Sequence, residues 1–309
     1  MRPSTIQQIE YQNLTWVNVT KTSQVEIKYL EETYNFHPLH LADCLSPVQR
    51  PKLDFGKNYL FLVLTFPIYR RKTREIVPSE IDFFIGQNFL ITVHHNELPP
   101  LINFFNTCQI DREQQKKYFS NDPVHLLYEI LKKLFLYCTP ILETLQSNLA
   151  SLESHIFRGY ERQMVREILI VKRNIINLRH IMQVHRSVIN KFIKQKQESF
   201  LLGDLKIYFE GLIETVNELW DNLESMRQTI DALEQTNNAL ISFRLNDIIK
   251  ILTIISVIIM PLSLLVNLFS MSLKYIPLVN YPAAFWMILS LLIFIFLALF
   301  YFFKRKRWL

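Results

Sequence analysis

The chain has 309 residues, 50% of them hydrophobic, and a formal net charge of +6. All 28 acidic residues lie at or before Asp247, so the first 250 residues carry a net +1 and the last 59 a net +5. A near-neutral body with an apolar, basic-ended tail excludes a nucleic-acid footprint spread over a face, and five glycines with no Gly-x-Gly pair exclude Rossmann and P-loop phosphate cradles.

From the N-terminus, Met1 to Asn13 lacks an apolar core and carries Glu10. It is expected to be neither a secretory signal nor a transit peptide. Trp16 to Val19 predicts a short strand, Gln24 to Tyr34 a helix, and Tyr59 to Tyr69 a strongly apolar strand. Ile81–Ile85 and Phe89–His94 predict two more strands, parted by a Gly86-Gln87-Asn88 turn. These elements predict an α+β domain in α/β/α layers over residues 1–121. Cys44, Cys108 and Cys138 form no CxxC pair and are expected as reduced, buried thiols. The eight histidines show no metal-ligand spacing, and no catalytic constellation emerges, so an enzyme is not expected.

Asp122-Pro123 supplies an N-cap and a first-turn proline. From there residues 122–248 predict long helices and a stalk, with breaks near Gly159 and Gly203. Leu205, Phe209, Leu212, Val216, Leu219, Leu223, Met226, Ile230, Leu233, Asn237 and Leu240 keep a 4-3 spacing. That spacing fits a coiled-coil seam or ordinary helix packing. No strong breaker follows Gly211, so stalk and first span are expected to form one helix about 100 Å long.

Ile251 to Leu273 carries no charge and reaches about 34 Å as a helix, enough for a hydrocarbon core of ~30 Å. A second uncharged run, Tyr275 to Phe303, offers Pro282 as a helix start. The expected boundaries are a first membrane span over 249–273, an outer loop over 274–282, a second span over 283–303 and a tail over 304–309. A loop this short puts both outer ends on one side. Lys304, Arg305, Lys306 and Arg307 mark that side as cytoplasmic, with Arg244 and Lys250 flanking the first span there. The expected location is the cytoplasmic membrane with both termini inside. Trp286 and Trp308 are expected near opposite interfaces.

Within the first span, Thr253, Ser256, Ser263, Asn267 and Ser270 fall on one 3-4 series with Asn246, Ile249 and Met260. Polar groups in a membrane turn toward protein or water. The series therefore fits hydrogen-bonded helix packing or a water-filled pore lined by several copies.

The chain resembles the CorA family of divalent-cation channels. The resemblance rests on Phe36-His37-Pro38-Leu39, Gln49-Arg50-Pro51-Lys52, Tyr59-Leu60-Phe61 and Asn88-Phe89-Leu90-Ile91-Thr92-Val93-His94. It continues through Arg244-Leu245-Asn246, Lys250-Ile251-Leu252-Thr253, Met260-Pro261-Leu262 and the closing Lys304-Arg305-Lys306-Arg307-Trp308-Leu309. It implies a homopentameric funnel in the lipid bilayer, with a pore-lining first span. Mg²⁺, Co²⁺ or another divalent ion is then the cargo, with Mg²⁺ also a regulator and no covalently bound cofactor. Asn246, Ile249, Met260, Ser263 and Ser270 to Ser272 would face the pore. Ile249 and Met260 would be its apolar constrictions. Regulatory metal sites are implied, with Asp43, Asp54 and Asp82 as candidate ligands.

One motif departs from the family. Ser270-Met271-Ser272 stands where the family carries a Gly-Met-Asn filter, and Lys274 adds positive charge at the outer mouth. A serine hydroxyl is shorter than an asparagine amide and turns as donor or acceptor. The expectation is a metal-cation channel for Mg²⁺. A pentamer of relaxed or different selectivity and a non-conducting membrane scaffold stay open beside it.

Overall fold

The computed structural model describes residues 3–46, 50–119, 122–194, 206–270 and 284–306. They divide into two units, Met1–Glu234 and Gln235–Leu309.

The first unit is built on a six-stranded sheet. Its strands are β1 (Ile6–Tyr11), β2 (Leu14–Val19), β3 (Lys52–Phe55), β4 (Leu60–Arg70), β5 (Glu75–Ile85) and β6 (Phe89–His94). They lie in the order β1-β2-β6-β5-β4-β3. Only β2 and β6 pair in parallel; the other neighbours are antiparallel. The Gly86 turn closes the β5–β6 hairpin as expected, with Gly86 N–H donating to the Phe89 carbonyl at 2.9 Å. A side chain at Gly86 would strike the Phe89 ring, its Cβ lying 2.2 Å from a ring carbon.

Helices cover both faces, giving the three layers expected from sequence. On one face α1 (Gln24–Tyr34), α2 (Pro38–Asp43) and the link between them bury Leu30, Leu41 and Phe36 against Val17, Phe61, Val63, Phe84 and Val93. Ser23 caps α1 by accepting from the Val25 N–H, and Asn35 ends it in the left-handed region at φ 55°. On the other face lie α3 (Pro99–Ile110), α4 (Arg112–Phe119), α5 (Pro123–Phe157) and α6 (Glu161–Lys194). There Trp16 packs on Phe104, Phe105 and Phe119, and its indole N–H donates to Thr92 Oγ1 at 3.1 Å. Asp122 caps α5 by accepting from the His125 N–H at 2.7 Å. Gly159, at φ 96°, makes the expected break between α5 and α6. The break expected near Gly203 lies outside the described residues.

Residues Lys206–Ser270 form one helix, α7, of 65 residues, about 98 Å long. Stalk and first span are thus continuous, as expected. In the first unit its 4-3 seam is buried from Phe209 to Leu233. Phe209 meets Phe192 of α6 and Tyr128 of α5, and Arg179 of α6 stacks on Trp220. There the seam is helix packing within the chain. Leu205 lies outside the described residues; Asn237 is buried and Leu240 half-buried. The last helix is α8 (Ala284–Arg305). All three cysteines are free and buried, as expected.

Candidate ion pathway

In the second unit α7 has two unlike faces. Ile254 and Ile258 are 2% and 8% exposed and pack with Phe303 of α8, with Leu262 and Leu299 completing the cluster. These residues recur every four positions on each helix, so one ridge of α7 meets one ridge of α8. The polar series lies elsewhere. At about 100° per residue its mean direction falls roughly 170° from the Ile254–Ile258–Leu262 ridge. Asn246, Ile249, Thr253, Ser256, Met260, Ser263 and Asn267 are all exposed, Met260 at 77%. The structure thus brings these seven onto one face, turned away from α8.

Two hydroxyls on this face are already committed as donors. Thr253 Oγ1 donates to the Ile249 carbonyl at 2.8 Å, and Ser256 Oγ to the Leu252 carbonyl at 2.9 Å. Each hydroxyl spends its one hydrogen on the helix and turns free lone pairs outward. The face therefore offers oxygen acceptors. The water shell of a cation presents hydrogens and is matched by such a surface; the shell of an anion is not.

Ser270 is the last residue of α7. The filter positions Met271 and Ser272, the outer-mouth Lys274, and Arg307 and Trp308 lie outside the described residues. Lys304 and Arg305 end α8, Lys306 follows it, and all three are exposed; Trp286 near the start of α8 is exposed as well.

The candidate regulatory acids have separate surroundings. Asp43 and Asp54 both hold Lys52, whose Nζ lies 2.7 Å and 3.1 Å from their carboxylates. Burial opposes the Lys52 charge, but these two bonds outweigh it and raise its pKa above the ordinary lysine value. Asp82 is buried on β5 with Oδ1 unpartnered, and desolvation followed by the nearby Glu80 charge holds its carboxyl well above the usual carboxylate range. Among the described residues, no group of three or more His, Cys, Asp or Glu side chains in the single chain is arranged to hold a metal ion.

The packing ridge on α7 was not read from the sequence. Ile254, Ile258 and Leu262 sit in a uniformly apolar run, and only their four-residue repeat, matched by Leu299 and Phe303, sets them apart.

A sheet domain and two helices with membrane-spanning apolar stretches, one of them about 98 Å long and bearing a polar stripe on its free face, define a two-span membrane transport protein. The CorA-like Mg²⁺ transporter family matches residues 11–305, and the chain belongs to it. It is 24% identical to the cobalt/magnesium transport protein CorA of Thermotoga maritima, over 96% of this chain and 83% of that one. It is 22% identical to the protein of the same name from Methanocaldococcus jannaschii, over 96% of this chain and 92% of that one. The complete structure of the CorA magnesium transporter from Methanocaldococcus jannaschii superposes with a TM-score of 0.85, at 21% identity, over 97% of this chain and 94% of that one.

Proposed function

We propose that this protein is a metal-cation channel that conducts Mg²⁺, or a related divalent ion such as Co²⁺, passively through a pore. The α7 stripes of five copies line the pore, and α8 packs outside. Met260 and Ile249 form apolar constrictions, and Asn246, Thr253, Ser256, Ser263 and Asn267 supply oxygens to a hydrated ion. Ser270, Met271 and Ser272 occupy the filter position, and Lys274 the outer mouth. The protein lies in the cytoplasmic membrane with both termini inside, and Lys304, Arg305, Lys306 and Arg307 form a basic ring there. The observation that carries this reading is the stripe itself, exposed and opposite the α8 contact, with its hydroxyls presenting acceptors. The family membership supports it.

Cysteine accessibility tests the lining. The native thiols are buried, and burial lifts those of Cys108 and Cys138 to about 12, so they stay protonated and unreactive. Cysteine at Thr253, Ser256, Ser263 or Asn267 is expected to react with a small aqueous thiosulfonate in the open channel. Cysteine at Ile254 or Leu265 is expected to stay protected. Equal protection at all six positions would leave the stripe as buried helix packing.

Flux into liposomes tests conduction, with Mg²⁺ uptake set against Na⁺ and Cl⁻. Protein that passes none of the three is a scaffold. A second reading, relaxed selectivity, is favoured by Ser270-Met271-Ser272 and Lys274. Under it, Ser272→Asn with Ser270→Gly raises the preference for Mg²⁺ over Na⁺. Wild-type protein that already excludes Na⁺ strongly would defeat it.

A further inference from the structure

From Lys172 onward the Lys and Arg side chains of α6 fall into two groups. Lys172 pairs with Asp231 at 2.8 Å and Glu234 at 2.6 Å, Arg173 with Glu75, and Arg179 with Glu224 at 2.8 Å. Further along the helix Arg186, Lys191 and Lys194 are exposed, and among the described residues none of them meets a carboxylate. Gln183, Arg186, Ser187, Asn190, Lys191 and Lys194 recur at three- and four-residue steps and so share a face. Together with Trp220 of α7 they line a cavity of about 550 Å³, and among the described residues no acidic side chain lines it.

The helix dipole accounts for part of this charge. Lys191 and Lys194 sit in the last turn of α6, where cations are favoured. Arg186 lies about two turns further back, beyond the reach of that effect. Trp220 is fixed at the cavity wall by Arg179, whose guanidinium carbon lies 4.5 Å from the ring centroid. Three cations with no carboxylate partner among the described residues, three neutral polar side chains and one anchored indole thus meet in a volume typical of small-molecule sites.

We propose that this cavity binds a phosphate-rich anion carrying a flat ring, namely a nucleoside di- or triphosphate. Arg186 takes phosphate oxygens through its planar fork, and Lys191 and Lys194 add point charges. The base stacks on Trp220, since every nucleobase has a π-face for an aromatic ring. Gln183, Ser187 and Asn190 offer donors and acceptors to ribose and base edges.

Equilibrium dialysis of the full-length protein in detergent, in Mg²⁺-free buffer at low salt, tests this with ATP, inorganic triphosphate and adenosine as probes. ATP is expected to bind, triphosphate to bind about tenfold more weakly for want of the stacked base, and adenosine not to bind. Arg186→Gln and Lys194→Gln each weaken ATP and triphosphate about threefold, and raised salt weakens both. Trp220→Leu lowers ATP to the level of triphosphate and leaves triphosphate unchanged, while Trp220→Tyr keeps the advantage of ATP. Lys28→Gln, on α1, leaves every affinity unchanged. No binding of ATP overturns the proposal. Equal binding of ATP and triphosphate by the wild type, or ATP binding unmoved by the Arg186→Gln, Lys194→Gln double variant, overturns it too.

Discussion

Ser263→Arg is expected to abolish cation flux while leaving the assembled protein intact. Ser263 is exposed on the stripe, so in the fivefold assembly each copy would set one guanidinium about 8 Å from an ion on the axis. Five unit charges at that distance raise the energy of a divalent ion by about 5 kcal/mol even at the dielectric constant of water. At 1.36 kcal/mol per decade this exceeds a thousandfold loss in rate. A charge series separates this field from plain obstruction. Ser263→Gln is long but neutral and should reduce flux by less than tenfold, while Ser263→Glu should restore or raise divalent flux, most at low salt. Ile255→Ser, on an exposed face about 130° from the mean direction of the stripe, should leave flux near wild type. Uptake reported by a Mg²⁺-sensitive dye inside liposomes gives the rates, and native mass spectrometry in detergent gives the copy number. Wild-type flux from Ser263→Arg would take the stripe off the pore. A dimer or tetramer as the sole species would remove the fivefold ring.

What could be read from the sequence follows from contrast. The stripe was legible because polar residues stand out in a run of Ile, Leu and Val, and a 3-4 repeat places them on one face. The ridge that packs on α8 has no such contrast. Ile254 and Ile258 differ from Ile255 and Ile259 only in phase, and phase needs a partner to define it. In the sheet, Tyr59 to Tyr69 and Phe89 to His94 were legible as largely apolar runs, and Tyr59 to Pro67 and Leu90 to His94 are buried on both faces. The edge strands were not: in β1 the buried residues Ile6 and Ile9 are three apart, which breaks the two-residue period of a strand.

The first half of β5 was masked by Pro78 and its charged neighbours, since proline argues against a ladder. The register explains why it is tolerated. Pro78 faces Pro67 of β4. On their other sides the β3 ladder stops at Val63 and the β6 ladder at Ile81. Neither missing N–H therefore interrupts a second ladder. Short α2 and the α3–α4 pair fell below the length at which helical periodicity is decisive.

Lowering the pH from 6.5 to 4 is expected to withdraw about 3 kcal/mol of stability from the first unit through His185 alone. This ring is fully buried between Phe66 and Phe135, at centroid distances of 4.8 Å and 5.3 Å. Neither nitrogen has a well-formed hydrogen bond, and the Ile181 carbonyl one turn back compensates only weakly. Burial therefore pushes its pKa down to about 4. His94 is held down to about 4 as well, by burial first and then by the His95 charge, although its Nε2 lies 2.9 Å from Asn18 Oδ1.

In the unfolded chain both rings titrate near 6.5. Between about pH 6.5 and 4 the unfolded state thus binds more protons, and stability falls as the pH falls. The full contribution is present above 6.5. The loss is about 1.36 kcal/mol per pH unit for each ring, or about 3 kcal/mol over each shift. His185→Phe keeps an aromatic ring between Phe66 and Phe135 and removes the titration. Its urea midpoint should fall less steeply across this window than that of the wild type, with the larger gain at pH 4.5 and little change at pH 7.5. Fluorescence of Trp16, buried among Phe104, Phe105 and Phe119, reports the transition. Equal slopes for the two proteins would mean that His185 accepts a proton in the folded state, and that its pocket is wetter than the packing of Phe66 and Phe135 allows.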